Sequence, residues 1–65
     1  MERLKELRLS RGLTQKAIAE QLGMSTRAYS HYEIGDRDPS IELLIAFCDY
    51  FDVSADYLIG RTDEY

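Results

Sequence analysis

The stretch QKAIAEQLGMSTRAYSHYEI, Gln15 to Ile34, decides how the rest of the chain is read. At the helical repeat of about 100° per residue, Thr26, Arg27, Ser30 and His31 fall within one arc of roughly 140°, with Ala28, Tyr29 and Tyr32 opposite. One face of this segment packs and the other carries hydrogen-bonding groups. The preceding segment divides in the same way, with Ile18, Ala19 and Leu22 on one face and Lys16 and Glu20 turned away. Ala19 is small enough for a close helix crossing, and Gly23 tolerates the positive φ of a tight turn. Thr14 and Ser25 are the expected N-caps. Two readings meet this pattern: an ordinary helical hairpin in an all-α core, or a unit that lays its second helix in the DNA major groove.

On the N-terminal side, ERLKELRLSR places Leu4, Leu7 and Arg8 at i, i+3, i+4 spacing, a first helix that Gly12 ends. On the other side, Gly35, Asp36, Asp38 and Pro39 make a loop. Arg37 projects from it, either to hold a phosphate or as a solvated side chain. Ser40 caps a fourth helix, IELLIAFCDYF, whose apolar residues span about 220°, beyond the stripe of roughly 100° that a surface helix needs. This helix is the central core element, or part of it meets another chain, or both. Asp52 to Ser54 breaks it, and Ser54 caps a short fifth helix, ADYLIG, ended by Gly60. The pattern predicts an all-α, five-helix bundle over residues 1–60, with the helix-turn-helix unit at 15–34 and a loose tail at 61–65.

Sixty-five residues allow one small domain, burying about 60% of its unfolded surface and gaining from a partner subunit. No apolar run reaches the length of a membrane span and no signal-peptide pattern follows Met1, so a soluble, cytoplasmic protein is expected. The single cysteine, Cys48, excludes an internal disulfide, and its apolar surroundings predict a buried thiol rather than a reactive one. Net charge is −4, which is unusual for a nucleic-acid binder, but it is unevenly spread. Residues 1–37 hold seven Lys/Arg against five acids, whereas residues 38–65 hold Arg61 against seven. The acidic half should still weaken non-specific DNA binding.

With these elements in place, the run from Leu4 to Gly60 resembles the phage-repressor and Cro-type (XRE family) helix-turn-helix domains of bacterial and phage transcription regulators. The resemblance rests on GLTQ at Gly12 to Gln15, the spacing of Ala19, Gly23 and Met24, the YExG run at Tyr32 to Gly35, and the Pro39-Ser40 pair. It implies a bundle of four or five helices whose third helix enters the major groove. It places Thr26, Arg27 and His31 where family members read base edges, and Thr14, Gln15 and Ser30 where they touch phosphate or support those contacts. It also implies a structural ion pair between Arg8 and Glu33. The side chains suit these roles: Arg27 matches the guanine O6/N7 edge, Thr26 a thymine methyl or a polar base atom, and His31 a donor or an acceptor according to its protonation. Two residues depart from the family pattern. Tyr29 replaces a branched aliphatic residue, so its hydroxyl needs an outlet; Ile34 stands where a polar, phosphate-facing residue is frequent.

The function expected is a sequence-specific DNA-binding regulator, a repressor, acting as a homodimer on a pseudo-palindromic operator of double-stranded DNA. Leu43, Tyr50, Phe51, Tyr57, Leu58 and Ile59 are the candidates for the dimer contact, with core packing the stronger alternative for Phe51 and Leu58. A competing reading keeps the fold but makes the chain an interaction module, an antitoxin or a partner of another regulator, which the acidic C-terminal half favours. No nucleophile elbow, glycine-rich phosphate loop or metal-ligand spacing occurs, so no enzyme activity, cofactor or metal is expected.

Overall fold

The computed structural model describes residues 1–65 as five helices: α1 (Glu2–Ser10), α2 (Gln15–Gln21), α3 (Thr26–Ile34), α4 (Ile41–Phe51) and α5 (Ala55–Leu58). Four of the five begin at a hydroxyl that accepts a backbone N–H of the first turn: Thr14 from Ala17, Ser25 from Ala28, Ser40 from Leu43 and Ser54 from Tyr57, all at 3.0–3.1 Å. Each such cap stabilises its helix by about 1 kcal/mol. α4 stops where Asp52 turns left-handed at φ 56°, a conformation that aspartate tolerates better than most residues.

The core is drawn from every helix: Leu4 and Leu7 of α1, Ile18 and Ala19 of α2, Tyr29 of α3, Phe47 and Phe51 of α4 and Leu58 of α5. Phe47 sits between two tyrosines of α3, edge-on to Tyr29 at 6.2 Å and to Tyr32 at 6.0 Å. The aromatic contacts lock the inner face of α3 and thereby set the direction of its outer face. Phe51 and Leu58, at 1% and 2% exposure, pack in the core, the alternative favoured for them over a dimer contact. The wide apolar arc of α4 serves two purposes: Phe47 and Phe51 face inward, while Ile41 and Ile45, one helical turn apart, stand 74% and 53% exposed. Cys48 lies on the border and is half-buried rather than buried; partial burial, with the charge of Asp49, raises its thiol pKa.

The tail makes contacts with α1 and α5. The Arg3 guanidinium donates to the carbonyls of Tyr57, at 3.1 Å, and Thr62, and pairs with Asp63. It also lies 4.4 Å from the centre of the Tyr57 ring, on which Tyr65 stacks at 4.6 Å. Charge-assisted bonds and ring stacking together draw residues 62–65 back onto α1. At the C-terminus of α3, the Met1 ammonium donates to the carbonyls of Tyr32 and Glu33 at 3.0 and 3.1 Å, placing positive charge where the macrodipole favours it. No helix is long and apolar enough to cross a membrane.

Candidate nucleic-acid interface

The turn between α2 and α3 is closed by the backbone. Gly23 adopts φ 71°, and the Met24 N–H donates back to the Ala19 carbonyl at 2.9 Å. A side chain at the glycine position would be strained in that left-handed conformation. Fully buried Ala19 lets the two helices approach closely, so α3 leaves the turn in a defined direction.

Along α3 the outer and inner faces then separate. Thr26 and Arg27 are exposed and Ser30 and His31 half-exposed, while Tyr29 and Glu33 are buried. Gly35 ends the helix at φ 95°, where a residue with a side chain would again be strained, and the chain doubles back. This reversal brings Arg37 beside the helix: Ser25, Arg27, Ala28, His31 and Arg37 line one shallow hollow of about 310 Å³. Neither arginine is held in an ion pair, so both guanidinium groups remain available for phosphate or a base edge.

His31 is less free than its place on the arc suggests. Its Nδ1 lies 3.0 and 3.1 Å from the two carboxylate oxygens of Asp36. A carboxylate only accepts, so Nδ1 carries a proton; the neutral ring then presents Nε2 as an acceptor, suited to an adenine or cytosine amino group. In the sequence Asp36 reads only as a loop residue, with nothing to mark it as a partner of His31. The signal that would have found it is the left-handed Gly35, which folds residue 36 back over the last turn of the helix.

Thr14 and Gln15 lie at the start of α2 and do not line this hollow. The Thr14 oxygen is engaged as the cap acceptor, leaving its O–H to donate outward. Gln15 lies over a different, buried cluster. Arg8 Nε donates to Glu33 Oε2 at 2.6 Å and Nη2 to Oε1 at 3.3 Å, while Nη1 reaches the Leu13 carbonyl at 2.8 Å. One arginine thus joins α1, the α1–α2 loop and the end of α3. Burial alone would raise the Glu33 pKa; hydrogen bonding, above all from Arg8, outweighs it and holds the carboxyl below its ordinary range. The Tyr29 hydroxyl lies close enough to feel both charges but makes no hydrogen bond of good geometry, and burial raises it far above the ordinary phenol range. The outlet expected for this hydroxyl is absent.

Of the remaining candidates, Leu43, Tyr50 and Tyr57 are half-buried and packed on the core, and Ile59 is 53% exposed. Ile34, at 71% exposure, neither reaches the core nor offers a polar group.

A tight α2–turn–α3 unit with a polar outer face, carried on an all-α core, defines a helix-turn-helix domain. Residues 4–58 match the model of the helix-turn-helix family, and the chain belongs to that family, of the XRE type. It is 42% identical over 64 residues to the uncharacterized HTH-type transcriptional regulator YqaE of Bacillus subtilis (strain 168), covering 97% of this chain and 55% of the relative. To the HTH-type transcriptional regulator ImmR of the same organism it is 40% identical over 62 residues, 95% of this chain and 49% of the relative. To the cryptic phage CTXphi transcriptional repressor RstR of Vibrio cholerae it is 38% identical over 65 residues, 97% of this chain and 58% of the relative. The chain therefore spans about half the length of these relatives.

Proposed function

We propose that this chain is the DNA-reading domain of a transcriptional repressor, binding a pseudo-palindromic operator as a homodimer with α3 in the major groove. The observation that carries this reading is the outer face of α3: Thr26 and Arg27 stand exposed on a helix whose inner face is fixed by aromatic packing, and Arg37 is delivered to its side. In this reading Thr26, Arg27 and His31 contact bases. Arg37, Thr14 and Ser30 contact phosphate, and Gln15 does so with its second amide proton while the first stays on Glu33. The similarity to a phage repressor supports the sign of regulation.

The second copy is assigned to the outer stripe of α4, where Ile41 and Ile45 are the large exposed apolar side chains. Half-buried Leu43 and Tyr50 lie on the other side of α4 and are not part of this stripe; two half-sites engaged together raise affinity well above that of one domain. The test is selection of bound duplexes from a random pool at two salt concentrations. The expected result is a palindromic motif of two half-sites about one helical turn apart, with affinity falling steeply in salt. A single, non-palindromic half-site would remove the dimer; no motif at all would remove operator reading.

A further inference from the structure

A second hollow, of about 520 Å³, shares no residue with the one beside α3. It opens where the start of α1, the loop before α4 and the end of α5 meet. Its apolar part comes from Pro39, Leu44 and Ile59, the last more than half exposed. Around it stand three exposed carboxylates, Glu2, Glu6 and Asp38. None of them is in an ion pair. The two cations at the same site are already engaged: the Met1 ammonium on the carbonyls of Tyr32 and Glu33, and Arg3 on Tyr57, Thr62 and Asp63. The result is an apolar floor inside a rim of three carboxylates against two cations, neither of which donates a hydrogen bond to a rim carboxylate.

We infer that this groove docks a basic, apolar segment of a partner protein, an aliphatic side chain seated on Leu44 and Ile59 with flanking Lys or Arg against Glu2, Glu6 and Asp38. The volume suits one or two side chains, within the range of about 300–1,000 Å³ typical of binding clefts. Charge selects the occupant. A second copy related by a two-fold axis through the groove would set the three carboxylates against their own counterparts, a like-charge contact. DNA is excluded by the same rim. A lysine- or arginine-flanked segment instead gains complementarity at each of the three carboxylates, and because the groove and the α3 hollow have no residue in common, it leaves Arg27 and Arg37 uncovered.

The probe is a short amphipathic peptide with a leucine stripe flanked by lysines, together with a control in which every lysine is glutamate, each titrated into the isotopically labelled protein and followed by amide NMR. The lysine peptide is expected to shift Glu2, Glu6, Asp38 and Ile59, and the glutamate peptide to leave them in place. Glu6→Lys and Asp38→Lys should each weaken the lysine peptide about five- to tenfold, with melting temperatures held because both side chains are exposed. Equal binding of the two peptides, or shifts confined to α3, would overturn the assignment on the unmodified protein alone. Groove resonances that move with protein concentration in the absence of peptide would give the site to a second copy and overturn it equally.

Discussion

Gln15 Nε2 donates to Glu33 Oε1 at 3.2 Å, so a residue at the start of α2 is tied to the buried carboxylate that closes α3. The same carboxylate holds Arg8, and the ion pair therefore fixes both ends of the helix-turn-helix unit at once. Glu33→Ala leaves Arg8 buried without its partner and should cost about 3–5 kcal/mol, most of what a domain this small possesses. Thermal unfolding followed by circular dichroism checks it; an unchanged melting temperature would refute the structural role.

Acid should weaken the fold through the same group. The folded Glu33 carboxyl ionises below its unfolded value, so its contribution is complete above about pH 4.3 and is lost as pH falls toward the folded value. Unfolding by denaturant across this range should show stability declining, with a shallower decline in Glu33→Gln than in the unmodified protein.

Tyr29→Phe removes a buried hydroxyl that has no hydrogen-bond partner and keeps the ring that packs on Phe47. An unsatisfied buried donor costs about 1–3 kcal/mol, so the variant should melt higher. A lower melting temperature would mean that the hydroxyl is donating to Glu33 after all.

The two arginines of the α3 hollow should separate by kind of contact. Arg27→Ala is expected to cost roughly 1–3 kcal/mol at the operator and to relax one base pair. Arg37→Ala should weaken all duplexes alike and reduce the salt slope by about one. Equal loss on every sequence from Arg27→Ala would make Arg27 a phosphate contact.

Asp36→Ala withdraws a negative charge from beside the outer face of α3 and releases His31. Non-specific duplex binding should rise by a modest factor, on the order of that of a surface ion pair, and the nitrogen shifts of the His31 ring should report a mixture of tautomers. A ring still protonated only at Nδ1 would show that Asp36 does not set it.

The five helices were legible in the sequence because their signals are local. Thr14, Ser25, Ser40 and Ser54 announce where helices begin, and Gly23 and Gly35 mark turns, each within a few residues of what it controls. The site was legible as far as one helix face extends. What periodicity could not supply is anything that depends on chain reversal or distance. Asp36 reaches His31 only because Gly35 turns left-handed, and Arg3 meets Asp63 across a separation of 60 residues. The broad apolar arc of α4 likewise hides its own division, since spacing alone cannot say that Phe51 turns inward and Ile45 outward.

The Arg3 clasp has a mechanical consequence. It holds the first turn of α1 against the segment after α5, so the two ends of the chain leave the molecule side by side. Force applied between those ends would peel Asp63 from Arg3 and Tyr65 from Tyr57 one after the other before any core helix carried tension. The domain should yield like a zip at its seam, the Met1 ammonium then passing the load to the end of α3.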